Sequence, residues 1–240
     1  MLVLPLASLL IAFVASIFGI GGGVLLFPLL VFLGVPVHQA VSVTVAGGFI
    51  TALSSSIVYI GKKKTQIKLA LKLETIAVPA SFLGAYAFIS FEPGIIQTTY
   101  GVVLLTVGII MLANFIPKKS RKDGKHMILY PIIAVAGFLA GFLGIGGGSI
   151  KGPAMIAAEG MDPKKAAATS SLMVVITLFF ALIAHAFVST LPGDLLLETM
   201  PFLFIGAQVG ARVHPYLKSG DIRVGFGIIL VVVALQLLFF

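Results

Sequence analysis

Apolar residues along this chain come in long unbroken blocks separated by short polar segments. The first half carries blocks at 2–18, 23–33, 39–60, 73–91 and 95–116, and the second at 127–143, 148–158, 166–188, 195–211 and 224–240. Blocks of about 20 residues match a hydrocarbon core roughly 30 Å thick. Backbone groups in lipid must be satisfied within the segment, so continuous apolar blocks predict helices. An outer-membrane barrel would need alternating apolar and polar positions instead. The second block of each half is too short to span: 11 residues of helix cover only about 16 Å. The pattern predicts an all-α polytopic membrane protein in which each half contains one short, non-spanning piece.

The halves repeat. Phe18-Gly19-Ile20-Gly21-Gly22-Gly23 with Pro28 recurs as Leu143-Gly144-Ile145-Gly146-Gly147-Gly148 with Pro153, at an offset of 125. Gly34, Ala40 and Thr44 correspond to Gly160, Ala166 and Ser170 at an offset of 126. Further along, Glu74-Thr75 pairs with Glu198-Thr199, and Pro79 and Gly84 with Pro201 and Gly206. Residues 1–117 then form a first membrane repeat, 118–126 a basic cytoplasmic linker, and 127–240 a second membrane repeat.

Two arrangements fit the blocks. The pieces flanking the glycines form either one broken span, with parallel halves, or a re-entrant hairpin followed by three spans, with inverted halves. Basic residues choose between them. They gather at 62–72, at 118–125, at Lys164 and Lys165, and at Arg212, Lys218 and Arg223. The hairpin arrangement places all fifteen on the cytoplasmic side, whereas the broken span places five outside. The positive-inside rule therefore favours inverted-topology repeats. The 34–38 turn, Glu92-Pro93, the 189–194 turn and both termini are expected outside. The sixteenth basic residue, Lys151, belongs to neither side.

Composition agrees with this reading. Hydrophobic residues make up 59% of the 240 and charged residues 10%, too few for the surface of a soluble domain. The net charge of +8 is accounted for by topology, so no nucleic-acid partner is expected. Cysteine is absent, which removes disulfides and thiolate metal sites. The first block lacks a basic leader and its pattern returns in the second half, so cleavage as a signal peptide is not expected.

Three consecutive glycines weaken a helix and are tolerated at membrane depth only where the backbone is buried in protein or lines a cavity. A helix starting just after them offers free N–H groups and a positive dipole end, which suits an anion. Paired broken helices meeting near the midplane are a recurrent transporter arrangement. Candidate substrate-binding residues are Gly21, Gly22, Gly23, Gly146, Gly147 and Gly148, with Ser149 and Lys151 beside the second motif. Hydroxyls on the following helices extend the set: Thr44 in the first half, and Thr169, Ser170 and Ser171 in the second. Lys151 would offset the charge of an anion; snorkelling to the interface is its simpler role. The hydroxyls have helix packing as theirs. Glu74 and Glu198, near the starts of equivalent spans, are candidates for a coupling path, with capping or interface placement as the simpler reading. Gln208 lies mid-span and is a further path candidate. No grouping of residues suggests a metal site or a catalytic nucleophile, so neither an enzyme nor a cofactor is expected.

The doubled FGIGGG-x4-P and LGIGGG-x4-P motif, Ala168-Thr169-Ser170-Ser171 and IGAQVGARV at 205–213 resemble the sulfite exporter TauE/SafE family, also called the toluene sulfonate uptake permease family. That resemblance spans nearly the whole chain. It implies a permease of the cytoplasmic membrane carrying sulfite, a sulfonate, sulfoacetate or a related organic anion, without a cofactor. The family's Thr-Ser pair falls on Thr169 and Ser170, whereas the first half reads Thr44-Val45. This departure shifts the weight of the site to the second half. The leading expectation is a secondary anion transporter, with proton coupling open to Glu74 or Glu198. A passive channel and a non-transporting subunit of a larger assembly are the alternatives. A homo-oligomer is compatible with either, and the bilayer is the remaining partner.

Overall fold

The computed structural model describes residues 3–113, 126–188, 191–216 and 219–239. The basic linker at 118–125, Lys218 and part of the 189–194 turn lie outside the described residues. Among those described, helices and short connections account for the whole chain and there is no strand.

The first half folds as α1 (Val3–Phe18), α2 (Gly23–Phe32), α3 (Val37–Gly61), α4 (Ile67–Phe88) and α5 (Pro93–Leu112). The second folds as α6 (His126–Leu143), α7 (Gly148–Glu159), α8 (Pro163–Val188), α9 (Gly193–Val213), a 3-10 turn at His214–Tyr216, and α10 (Ser219–Phe239). The apolar blocks and the helices coincide closely. The largest difference is α4, which starts six residues before its block because it begins among Lys68 and Lys72. By length and composition, α3, α5 and Pro163–Phe187 of α8 are the described helices able to cross a membrane.

Helix boundaries correct part of the repeat register. The starts of α8, α9 and α10 each follow their first-half counterparts by 126 residues. Glu74 therefore corresponds to Met200, not to Glu198, and Gly84 to Gly210, not to Gly206. Packing agrees with the new register. Gly84 lies against the carbonyl of Phe138, and Gly210 against that of Phe13, two phenylalanines that are themselves 125 apart. The Pro79–Pro201 and Glu74–Glu198 matches do not fall at this 126-residue spacing.

Contacts cross between the halves reciprocally. α1 packs along α9 and α6 along α4; α5 packs along α10; α3 packs on α9 and α8 on α4; and α3 and α8 meet at the centre. Small residues permit the closest approaches. Added methyls at Gly137 and Gly141 would strike the carbonyls of Ala77 and Ser81, and one at Gly206 that of Leu9. The exterior is apolar, with Leu6, Leu10, Leu83, Tyr86, Phe187 and Leu197 each more than half exposed. The interior, by contrast, buries polar groups, among them Glu74, Lys151 and Thr177.

Candidate functional site

Each glycine motif is a break between two helices. α1 ends at Phe18 and α2 starts at Gly23; α6 ends at Leu143 and α7 starts at Gly148. The chain turns through left-handed backbone at Gly21 (φ +79°) and Gly146 (φ +75°), a region costly for any residue with a Cβ. The two breaks lie against each other. A methyl on Gly23 would overlap the carbonyl oxygen of Gly144, and one on Gly148 would stand 2.6 Å from that of Gly19. All six glycines at 21–23 and 146–148 are buried. Neither α2 nor α7 has a side-chain cap at its start. The two helix starts, whose first N–H groups lack intrahelical partners, thus lie close together in the buried interior.

The predicted hydroxyls divide into two sets. Three already serve the fold. Thr169 accepts the backbone N–H of Gln66 at 3.0 Å, anchoring the start of α4. Ser170 donates to the Gly19 carbonyl at 2.8 Å, holding the first break against α8. Ser171 joins Ser55 at 2.7 Å and accepts from Ser56 at 3.1 Å, tying α8 to α3. The other two, Thr44 and Ser149, are buried with no hydrogen-bond partner for their hydroxyl oxygens. Ser149 lies in the first turn of α7, and the Thr44 methyl touches the methyl positions of both Gly23 and Gly144. A buried, unpaired hydroxyl is costly, and both stand beside the uncapped helix starts.

Lys151 lies one turn into α7 and is fully buried. Snorkelling is excluded by its contacts. Its ammonium donates to Glu74 Oε1 at 2.7 Å and to the hydroxyl of Thr177. Thr177 in turn donates to the other carboxylate oxygen of Glu74. Glu74 is two turns into α4 and 3% exposed, which corrects the expectation of a capping or interface position. The pair joins α7 to α4 and α8, and its net charge is zero. Sequence reading found both ions but not their pairing: they lie 77 residues apart, and no local pattern links them.

The remaining candidates lie apart from this centre. Glu198 is on the exposed face of α9. Gln208 is half-buried and donates through Nε2 to the Ser54 carbonyl at 3.0 Å, bridging α9 to α3. Tyr100 was not anticipated. Its hydroxyl donates to the Gly23 carbonyl at 2.8 Å and its ring stacks on Phe27, so α5 braces the start of α2. A lone tyrosine in an apolar block gives no sign of this in sequence.

Comparison with known proteins supplies the family. A match to the family described as "Sulfite exporter TauE/SafE" runs over residues 4–237. The chain belongs to this family. Among its TauE/SafE-type relatives, probable membrane transporter protein YunE of Bacillus subtilis is 26% identical, the alignment covering 99% of this chain and 97% of that protein. A probable membrane transporter protein of Methanocaldococcus jannaschii is also 26% identical, with 99% and 96% covered. A third, YjnA of Bacillus subtilis, is 28% identical over 88% of this chain and 90% of its own length. The names of these TauE/SafE relatives describe membrane transporters, not enzymes. No solved structure matches the chain.

Proposed function

We propose that this chain is a secondary transporter that carries a small anion, namely sulfite, a sulfonate, sulfoacetate or a related organic anion, across the cytoplasmic membrane by alternating access. The observation that carries this reading is the convergence of two uncapped helix starts, with the unpaired hydroxyls of Thr44 and Ser149, on one buried region. Backbone N–H groups at helix starts bind anions through direct donation and the helix dipole. Neutral hydroxyl donors add to this without the cost of further buried charge. Lys151, one turn along α7, adds a cation within reach of the same helix start. The burial of the whole cluster favours a carrier that occludes its cargo over an open channel.

In this reading the halves are inverted repeats, each a re-entrant hairpin (α1–α2, α6–α7) followed by three spans. Two contacts support it by joining segments that the hairpin arrangement, unlike the broken span, puts on one side. Lys62 Nζ reaches the Arg212 carbonyl at 3.3 Å, and the Gln66 N–H bonds Thr169 at 3.0 Å. The division at 117 and 127 and the cytoplasmic linker belong to the same proposal.

Uptake by liposomes holding the purified chain tests it. Labelled sulfite and a series of sulfonates should enter faster than into empty vesicles, and Ser149→Ala should slow that entry. Absence of flux for every anion would overturn the reading and favour a non-transporting subunit.

A further inference from the structure

We propose that Glu74 is the proton-coupling residue of this transporter: a monovalent anion displaces Glu74 from Lys151, Glu74 takes up one proton, and anion and proton cross together. This rests on the anion reading above and goes beyond it by assigning the coupling ion, its carrier and the stoichiometry.

The argument is one of charge balance in a closed space. With Lys151 and Glu74 paired, the buried cluster is neutral. An anion at the start of α7 competes with the Glu74 carboxylate for the same ammonium, one helical turn away. Once it succeeds, Lys151 and the anion cancel, and Glu74 is left as an uncompensated negative charge at 3% exposure. A buried, unpaired charge in a membrane protein is the costliest arrangement available. Uptake of one proton by the carboxylate removes it, and the cluster is again neutral as lysinium, anion and carboxylic acid. The balance closes for one proton per single negative charge. A doubly charged anion would leave one charge unmatched.

Thr177 suits both states. Its hydroxyl now accepts from Lys151 and donates to Glu74. A hydroxyl can reverse those roles by rotating its proton, so it can accept from a protonated Glu74 while donating to the Met173 carbonyl 3.0 Å away. The groups facing Glu74 are Lys151 from α7 and Thr177 from α8. On the α6 side the surroundings are apolar, with Leu129 and Ile133 packed against Leu73 and Ala77. Three further titratable groups, Lys72, Tyr130 and Glu159, line a cleft of about 180 Å³ together with Leu73, the neighbour of Glu74. At the counterpart positions, Leu26 on α2 and Met200 on α9, neither residue carries a charge, so of the two related places only this one holds a carboxylate.

The pairing also has a mechanical side. Lys151 is the charged link between α7, a short helix hung from the glycine break, and α4 with α8. Displacement of Glu74 releases that link only when cargo is present. Coupling then follows without a separate gate.

The test uses wild-type protein in liposomes with a trapped pH dye and labelled methanesulfonate and benzenesulfonate, which stay ionised throughout and cannot themselves carry a proton. An inward proton gradient should drive sulfonate accumulation with one proton entering per anion. An imposed membrane potential should leave the rate unchanged. Glu74→Gln should lose gradient-driven accumulation, and Glu74→Asp should restore coupling. Sulfonate entry without dye response in the wild type, or gradient-driven accumulation by Glu74→Gln, would overturn the coupling role and leave anion transport standing. The wild-type ratio decides the matter even if Glu74→Gln fails to fold. If neither sulfonate nor sulfite moves, the anion reading falls and this inference with it.

Discussion

One turn past each glycine break, the two halves of this protein use opposite chemistry on the same backbone. In α2 the position is Leu26, buried and apolar; in α7 it is Lys151, buried and charged. Facing them across the halves, Met200 corresponds to Glu74, while Thr51 and Thr177 match. The glycines, the breaks and the mutual approach of the two motifs are common to both. The first half therefore demonstrates that the fold needs no ion pair at this place. Buried pairs often stabilise no more than apolar groups of similar volume, because desolvation offsets the attraction. The glycine breaks therefore form with or without an ion pair one turn beyond them, and the pair is the feature that sets one place apart from the other.

Removing one partner of the ion pair should have the largest effect. Glu74→Ala leaves Lys151 buried without its counter-ion and should cost about 3–5 kcal/mol, read as a large fall in thermal unfolding temperature in detergent. Met200→Ala, at the half-buried apolar counterpart, should cost about 1 kcal/mol. Lys151→Leu combined with Glu74→Met copies the Leu26–Met200 chemistry onto the charged pair. It should return stability to within about 1 kcal/mol of the wild type while abolishing transport. If Glu74→Ala proves no worse than Met200→Ala, the charged pair is not closed off from water as described.

The glycines should behave in the opposite way, alike in both halves. Gly23→Ala and Gly148→Ala each drive a methyl toward a backbone carbonyl, of Gly144 and Gly19 respectively. Neither carbonyl can move without opening the neighbouring break. Overpacking of this kind should cost about 3 kcal/mol at either position, with transport lost in both. Gly61→Ala is the control, since its methyl meets nothing within 4 Å. Unequal losses at 23 and 148 would mean that the two breaks do not share one centre.

A smaller effect separates the two kinds of hydroxyl. Ser149→Ala and Thr44→Val remove unpaired groups and should leave stability unchanged or slightly raised. Each should weaken anion affinity by about 1.5 kcal/mol, or about tenfold, the contribution of one hydrogen bond to a charged ligand. Ser171→Ala breaks the contacts to Ser55 and Ser56 and should show the reverse, with a stability loss of about 1 kcal/mol and unchanged affinity. Thermal unfolding with and without sulfite reads both quantities.

Much of this was legible from the chain itself, for physical reasons. Helix positions followed from the apolar blocks because lipid and a packed interior both demand continuous hydrophobicity, and the glycine runs marked the breaks because few other residues tolerate that backbone. What sequence could not supply was pairing at a distance. Glu74 looked like an interface residue because its apolar block begins at 73, but α4 starts at Ile67 and carries it inward. The hydroxyls of Thr169, Ser170 and Ser171 looked equivalent to those of Thr44 and Ser149. Only the packing of α8 against Gln66, Gly19 and α3 shows which are already engaged. The register error at Glu198 had a similar origin, since in an apolar helix a recurring Glu-Thr pair is a weak guide beside the helix boundary itself.

Glu198 gives the smallest expected effect and the sharpest check on that register. If it were the true counterpart of Glu74, a symmetric transporter would use both carboxylates, and losing either would alter the proton count. Its place on the exposed face of α9, with Met200 at the matching position, argues that it never enters the buried cluster. Glu198→Gln should therefore leave anion uptake, its dependence on a proton gradient and the one-to-one ratio unchanged. A fall in the ratio of protons to anions would show instead that the Leu26–Met200 place acquires a charge during the cycle, and its contrast with the charged pair would then belong to one conformation only.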